Sequence, residues 1–375
     1  MVLESQPYNS YLYCMTYNNT RVIHVGSMSE GSVEMDFDVL SCVSSNASIV
    51  VPVVLTTTVI AAAVFVWIAK PIATVNFLQN FGLSILGMQH KQVDVNGLKT
   101  SYALRGKQQK GIPSMLFIHS FSASKDMWVP LIPWLPLDQH IILLDLPGHG
   151  STDIPDDSLD LTTPGMAGFV KKFVDTINLN KEAFHLIGIS FGGAVASVYA
   201  GSYSKDLAFV TICCPAILGA EETGFVKECR MGQISLLAED PQSLAKTIRR
   251  SCYSKQYFPE YTQIWKTILE HRRRRYPFYH KLFKTLFVSM DALSNEILDF
   301  ASRITTPTQV MWGEEDELLH VSNAEVLRKR LSNCHRFDIL VKCGHIPCID
   351  APSKMVDNLL ALRGEAKRKP KLIFV

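Results

Sequence analysis

The feature that most constrains the fold is a Gly-x-Ser-x-Gly sequence at residues 188–192, which lies between an apolar run and a helix-forming run. The apolar run, residues 184–187, is typical of a buried strand, and we expect the strand to break at Gly188. Helix-forming residues begin after Gly193. On a strand–turn–helix this motif forms a nucleophile elbow, a strained turn that lifts the serine hydroxyl above the sheet. The sequence therefore predicts Ser190 as a nucleophile.

The bare motif is weak evidence. With Gly and Ser each near ~7% of residues, three fixed positions match by chance about 0.1 times in a chain of this length. The prediction therefore rests on the strand before the motif and the helix after it. That helix would also direct its first amide groups and the positive end of its dipole at a developing oxyanion.

Around the elbow, strand-like and helix-like segments alternate from residue 92 onward. Asn96 and Gly97 separate two short strand-like runs and predict a tight hairpin. Such alternation is typical of the α/β class, with a mostly parallel, doubly wound sheet covered by helices on both faces. The later predicted strands cover residues 114–119, 140–144, 184–187, 208–213, 308–312 and 337–341, and the predicted helices cover residues 127–135, 168–177, 194–200, 324–331 and 355–362.

One long insertion interrupts this alternation. Residues 216–303 are helical, aromatic and basic in character. An insertion between two sheet strands is expected above their carboxyl ends, where it forms a helical cap. The core then comprises residues 92–215 and 304–364, and a basic tail follows at residues 365–375.

The cap contains four consecutive arginines, Arg272 to Arg275, directly before Tyr276. Two interpretations remain open. The run is either a solvated helix face or a patch that holds the cap against anionic lipid headgroups.

An uncharged stretch precedes the core. Its densest apolar part, residues 49–69, has about the ~20 residues that a helix needs to cross a bilayer. Acidic residues precede this stretch, and lysine and arginine dominate after it. The positive-inside rule then puts residues 1–48, which we expect to be largely disordered, outside and the catalytic domain in the cytosol. The sequence predicts a single-pass integral membrane protein.

Residues 70–91 follow this anchor as an interfacial linker. Within it, residues 72–88 are uncharged with apolar side chains at helical spacing, but they include Asn76, Gln79 and several small residues. A helix lying in the membrane interface fits this pattern better than a second crossing, which would reverse the topology.

Charge and cysteine usage exclude several classes of function. The 375 residues carry a formal net charge of +2, so no strong positive field points to nucleic acid as a partner. The nine cysteines include no CxxC pair and no metal-ligand spacing, so we expect no metal and no cofactor. The partners that we expect are a lipid substrate and the membrane.

A serine nucleophile needs a base, and the base needs an orienting acid. With this elbow the chain order is Ser, then Asp or Glu, then His. The strand at residues 308–312 leads into Gly313-Glu314-Glu315-Asp316, where we favour Asp316 but neighbouring acids leave the choice open. The last strand leads into Gly344-His345, which predicts His345 as the base; His320 is the alternative.

The oxyanion hole needs two backbone amides. One is expected from Phe191, which follows the nucleophile. The other is expected from Phe121, in the loop after the strand at residues 114–119.

Several segments of this chain resemble one family closely. They are residues 121–128, the Asp-x-Pro-Gly-His turn at 145–149, the elbow, residues 278–283, residues 307–313 and Cys343-Gly344-His345. They are similar to the membrane-anchored monoacylglycerol lipases of the α/β-hydrolase domain-containing protein six type, within the α/β-hydrolase superfamily. The resemblance spans roughly residues 86–362, including the cap.

This resemblance implies an α/β-hydrolase fold. It also implies a cytosol-facing serine hydrolase that cleaves monoacylglycerols such as 2-arachidonoylglycerol, and some lysophospholipids. Matched residue by residue, it makes Ser190 the nucleophile, Asp316 the acid, His345 the base and Phe121 an oxyanion donor.

Two positions depart from the family pattern. Ser120 stands where the family has glycine after the histidine of the oxyanion loop, and Phe191 stands where it has methionine. A serine would be strained at position 120 if that position required positive φ. We expect a negative φ there.

Two other functions remain open. The same triad could hydrolyse a carbon–carbon bond in a small diketone, although a membrane span argues against a soluble substrate. Alternatively, the chain could be a membrane-tethered interaction protein without turnover. An intact Ser190, Asp316 and His345 argue against that alternative, and Ser120 is the feature that favours it.

Overall fold

The computed structural model describes residues 82–255, 263–287 and 289–365. The predicted N-terminal segment at residues 1–48, the predicted anchor at residues 49–69, most of the interfacial linker and nearly all of the basic tail lie outside the described residues. Within the described ranges, no helix combines the length and apolar composition that crossing a bilayer requires.

Eight strands form one sheet. They are β1 (Gln89–Val95), β2 (Leu98–Arg105), β3 (Met115–Ile118), β4 (Ile141–Leu144), β5 (Phe184–Ile189), β6 (Leu207–Cys213), β7 (Thr308–Gly313) and β8 (Cys334–Leu340). Their order is β1-β2-β4-β3-β5-β6-β7-β8. The β1–β2 and β2–β4 pairs are antiparallel and the remaining pairs are parallel. The predicted mostly parallel sheet is confirmed.

The central strands explain why helices cover this sheet on both faces. Every residue of β3, β4, β5 and β7 is buried. A strand that is buried on both faces needs a layer of helices on each. At the edge, the predicted hairpin is present, because Asn96 (φ 53°) and Gly97 (φ 83°) both have the positive φ of a tight turn between β1 and β2.

The described α-helices are α1 (Thr163–Thr176), α2 (Phe191–Ser202), α3 (Gly224–Arg230), α4 (Pro241–Ser251), α5 (Gln263–Arg273), α6 (Tyr276–Phe287), α7 (Met290–Ser302), α8 (Ser322–Arg330), α9 (Pro347–Asp350) and α10 (Pro352–Leu362). Helix α2 packs between α1 and α7 and against β5 and β6, whereas α10 packs against β8 and the segment that precedes β4. Helices α3 to α7 lie within residues 216–303, the segment predicted to form the cap, whose boundaries stay a prediction.

Two elements differ from their predicted form. The helix predicted at residues 127–135 is a 3-10 segment, Lys125–Trp134, because Pro130 and Pro133 remove backbone donors from its interior. The strand predicted to break at Gly188 continues through it to Ile189. Gly188 therefore has a strand conformation, and the chain changes direction only at Ser190.

A buried ion pair connects the loops that follow β3 and β4. The Lys125 ammonium lies 2.7 Å from an Asp145 carboxylate oxygen, and their side chains are 3% and 0% exposed. Asp145 also accepts from the backbone amides of Lys125 (2.7 Å) and Ser151 (2.9 Å). The carboxylate therefore fixes both loops at the carboxyl edge of the sheet.

Replacing Lys125 with methionine should destabilise the protein strongly. Removing one partner of a buried pair leaves the other charge uncompensated, which costs about 3–5 kcal/mol. Urea unfolding followed by tryptophan fluorescence measures this loss. Lys281→Met is the matched control, because Lys281 and its partner Asp157 are at least half exposed and solvent screens such pairs. Equal midpoints for the two variants would contradict the role given to Lys125.

Candidate active site

The turn between β5 and α2 holds Ser190 in a conformation that few residues adopt. Ser190 has φ 56° and ψ −117°. The turn is fixed on both sides, because the Ser190 amide donates to the Cys213 carbonyl at 2.9 Å and the Ala194 amide donates to the Ser190 carbonyl at 3.0 Å. Strain of this kind persists only where the surroundings enforce it. The predicted elbow is present, and Ser190 is its one half-buried residue between Phe184 and Gly193.

The glycines around Ser190 allow backbone segments to touch. A Cβ at Gly188 would clash with the carbonyl oxygen of Gly192, and a Cβ at Gly192 would clash with that of Ile118. The motif therefore requires glycine for space, since neither residue has positive φ.

Asp316 and His345 form a buried hydrogen-bonded pair. His345 Nδ1 lies 2.7 Å from Asp316 Oδ2, with the histidine side chain 4% and the carboxylate 0% exposed. The other carboxylate oxygen, Oδ1, accepts from the amides of Leu318 and Leu319, each at 2.9 Å. These bonds fix the carboxylate plane, so Asp316 holds the imidazole with Nδ1 as the donor and Nε2 free to act as a base.

The structure distinguishes the acids that the sequence left open. Glu314, Glu315 and Glu317 are exposed, and Asp316 alone among these four is buried. His320 bonds to Ser322 and faces Glu221 at 3.4 Å, and it is not among the residues that line a cavity with Ser190. The geometry therefore favours Asp316 and His345.

The loop that carries His345 depends on close backbone contacts. Its left-handed residue is Lys342 (φ 55°), two residues before Gly344. Gly344 has a different role, because a Cβ there would clash with the backbone between Ser251 and Tyr253 in the cap. The Asp350 carboxylate accepts from the Gly344 and Tyr253 amides, both at 2.8 Å, which ties the histidine loop to the cap.

A cavity of about 230 Å³ joins these groups. Ser190 and His345 both line it, and the rest of its wall is largely apolar, with residues from the core and from the cap. The apolar lining residues are Phe121, Ala123, Met127, Phe191, Ala216, Phe225, Leu236, Ile248, Ile268, Phe287, Leu318, Leu319, Ile346 and Ile349. A cavity of this composition can hold an acyl chain beside a nucleophilic serine.

The two predicted oxyanion donors line the same cavity. Phe191 is the first residue of α2, so its amide has no acceptor within the helix. Phe121 lies in the loop after β3, and its ring packs against Phe191 at 6.5 Å and against Phe283 of α6 at 5.8 Å. Aromatic contacts from the cap therefore hold the oxyanion loop in place.

The residue before Phe121 is unstrained. Ser120 is absent from the residues with positive φ among the described ranges, whereas Ser122 has φ 53°. The expected negative φ at Ser120 is therefore confirmed. The Ser120 carbonyl accepts from His119 Nδ1 at 2.7 Å, because His119 Nε2 accepts from the Leu146 amide at 3.0 Å. Burial lowers the pKa of His119, which keeps this neutral tautomer.

The arginine run divides between two environments. Arg275 donates to the carbonyls of Gly148, Gly150 and Thr152 at 2.7–3.2 Å, and Arg272 lines the cavity. Only Arg273 and Arg274 are exposed. Helix α5 ends at Arg273, and Arg274 and Arg275 form the turn before α6. Neither a wholly solvated face nor a lipid-facing patch of all four arginines fits, because Arg272 and Arg275 contact the interior; contact of Arg273 and Arg274 with anionic lipid stays a prediction.

One thiol lies beside the acid–base pair and was not singled out from the sequence. Cys214 Sγ, an Asp316 carboxylate oxygen and a His345 ring nitrogen lie within 4.8 Å of one another. Burial raises the pKa of Cys214 well above its ordinary value, which disfavours the thiolate that a metal would need. Asp316 is also occupied by three hydrogen bonds, so the arrangement favours proton transfer over metal binding.

Comparison with known proteins agrees with this geometry. Residues 115–358 match the alpha/beta hydrolase family. The human protein named monoacylglycerol lipase ABHD6 is 31% identical over 85% of this chain and 94% of its own length. The Xenopus laevis protein named monoacylglycerol lipase abhd6-B is 32% identical over 89% of this chain and 99% of its own. The resemblance inferred from the motifs is confirmed.

A solved structure supports the fold. A bacterial membrane phospholipase A, described as a virulence factor, matches with a TM-score of 0.69 and 24% identity, over 84% of this chain and 97% of that one.

Ser120→Gly should leave kcat unchanged or lower it. Ser120 lacks positive φ, so glycine relieves no strain and only loosens the loop that carries the Phe121 amide. Steady-state kinetics of the wild type and the variant on one monoacylglycerol measure this. A kcat gain above roughly tenfold, about 1.4 kcal/mol, would contradict it.

Proposed function

The chain belongs to the alpha/beta hydrolase family, and we propose that it is a membrane-anchored serine hydrolase that cleaves the acyl ester of monoacylglycerols. One observation carries the proposal. His345, which is paired with the buried Asp316, and the strained Ser190 both line one largely apolar cavity. That combination fits acyl transfer from a lipid ester.

The geometry supports a two-step reaction. His345 takes the proton of Ser190 as its oxygen attacks the ester carbonyl, and the developing oxyanion accepts from the Phe121 and Phe191 amides. The tetrahedral intermediate collapses to an acyl-enzyme as His345 gives its proton to the departing glycerol oxygen. Water then attacks the acyl-enzyme while His345 takes its proton, and His345 returns a proton to the Ser190 oxygen as the bond to the acyl group breaks and the fatty acid leaves. No step needs a cofactor.

The substrate class follows from the cavity and from the relatives. An apolar wall suits one acyl chain, and relatives that cover most of this chain are named monoacylglycerol lipases. Lysophospholipids share the single acyl ester and are the second substrate class that we propose.

Two observations weigh on the alternative functions. A carbon–carbon bond hydrolase uses the same triad, but the names of these relatives favour an ester. The non-catalytic alternative rested on strain at Ser120, and that strain is absent.

The triad assignment predicts distinct losses for two substitutions and none for a third. Ser190→Ala should abolish labelling by a fluorophosphonate probe and lower kcat by roughly 10⁶. Asp316→Asn should lower kcat on the order of 10⁴, because the amide stabilises the wrong histidine tautomer. Glu315→Gln is the matched control and should retain wild-type rates, since Glu315 is exposed.

The opposite ranking would refute the acid assignment. If Glu315→Gln were damaging and Asp316→Asn harmless, Asp316 would not be the orienting acid. If the wild type resisted the probe and Ser190→Ala changed no rate, the hydrolase proposal itself would fail.

We also propose that residues 49–69 anchor the chain in a membrane with its catalytic domain in the cytosol. The charges that flank this segment support that orientation. Protease added to intact cells should leave the domain after residue 70 whole, and permeabilised cells should lose it. An immunoblot for the catalytic domain measures both. Digestion of that domain in intact cells would contradict the topology.

A further inference from the structure

A cap arginine reaches the cavity that Ser190 lines. Arg272 and His345 are the only lining residues in the described ranges with an ionisable side chain other than a hydroxyl. Arginine stays protonated in proteins, so Arg272 puts a permanent positive charge in an otherwise apolar wall.

The guanidinium has few partners for its five N–H groups. Its Nη2 donates to Ser122 Oγ and, at 3.4 Å, to the Leu236 carbonyl. Its Nε is buried and has no hydrogen-bond partner. Burial lowers the pKa of Arg272, and burial raises the pKa of the neighbouring phenols of Tyr276 and Tyr279, so neither phenol supplies a counter-charge.

Other arginines of the cap are satisfied in ways that Arg272 is not. Arg250 pairs with Glu228 at 2.8 Å, and Arg230 pairs with Asp291 at 2.6 Å. Arg275 donates to three backbone carbonyls. Among the described residues, no carboxylate forms an ion pair with Arg272. Burying a charge without a counter-ion is unfavourable, and an anionic ligand would remove that penalty.

The position of Arg272 fits the substrate of this site. It bonds to Ser122, the residue after the proposed oxyanion donor Phe121. A lipid whose ester carbonyl faces that donor would therefore present neighbouring polar groups to the guanidinium. Planar guanidinium groups bind phosphate and carboxylate oxygens through paired hydrogen bonds.

We propose that Arg272 binds an anionic oxygen group of the lipid in this cavity. The group is either the phosphate of a single-chain phospholipid substrate or the carboxylate of the released fatty acid. In the first case Arg272 sets substrate preference, and in the second it retains product. This inference rests on the proposed function and identifies Arg272 as the residue that binds the charged group of the lipid at that site.

The test compares two substrates with the same acyl chain. Wild type and Arg272→Gln are assayed on oleoylglycerol and on oleoyl lysophosphatidylglycerol, and oleate is titrated as an inhibitor. We expect the ratio of kcat/KM for the charged over the neutral substrate to fall at least tenfold, the scale of a lost hydrogen bond to a charged group. A tenfold rise in the oleate inhibition constant at an unchanged ratio would instead identify the carboxylate. Either result supports the proposal.

Two further variants separate charge from structure. Arg272→Lys keeps a point charge without the paired geometry, so its ratio should fall by less than that of Arg272→Gln. Arg273→Gln is the matched control, because Arg273 is exposed and faces Glu270, and its ratio should match the wild type. Should Arg272→Gln fail to fold, Arg272→Lys against Arg273→Gln still decides the question.

An equal loss on both substrates with no change in oleate inhibition would overturn the proposal and leave Arg272 a residue that positions the loop through Ser122. Failure of the proposed function looks different, since the wild type would then hydrolyse neither substrate. Displacement of a fluorescent fatty acid from the wild type and from Arg272→Gln would still test the inference, and equal affinities would overturn it.

Discussion

The site depends on one close approach of backbone to backbone. At the elbow, β5 and α2 meet without an intervening side chain, because Gly188 and Gly192 leave room for neighbouring carbonyls. Only that contact lets the chain reverse within one residue and hold Ser190 at φ 56°. The strain is maintained by burial on both sides, since α2 packs against β5 and β6. The strained conformation of Ser190 is therefore a consequence of packing density in the core.

The cap is attached to the core at the loops that surround the serine. Arg275 donates to carbonyls of the turn after β4. The Asp350 carboxylate accepts hydrogen bonds from backbone amides of the cap and of the loop that carries His345. The Asp145 carboxylate joins the turn after β4 to the loop after β3. Each contact satisfies backbone groups that a loop would otherwise leave to water. As a result, the loops bearing Phe121 and His345 are held from two sides.

Sequence patterns predicted the sheet well and the electrostatics poorly, for a physical reason. Strand alternation and the glycines of the elbow are local signals, so the mostly parallel sheet and the elbow at Ser190 could be predicted from the chain. Burial is a tertiary property, so the sequence could not separate Asp316 from the exposed Glu315 beside it. The burial of individual arginines among residues 272–275 was harder still to predict. Arg272 lies in α5 and Arg275 in the turn that follows it, so helical spacing could not predict that both contact the interior.

In the loop after β3, the residue with positive φ is Ser122. The comparison with the family concerned position 120 and did not predict a positive φ at position 122. The Ser122 hydroxyl accepts a hydrogen bond from Arg272, so the residue with positive φ and the charged residue are in direct contact. A guanidinium has five N–H donors. Arg272 can therefore keep its hydrogen bond to Ser122 while its Nε or Nη1 donates to an oxygen of the ligand. Binding an anion would then strengthen the link between the cap and the oxyanion loop. Under this proposal, anion binding by Arg272 would be coupled through Ser122 to the position of the Phe121 amide.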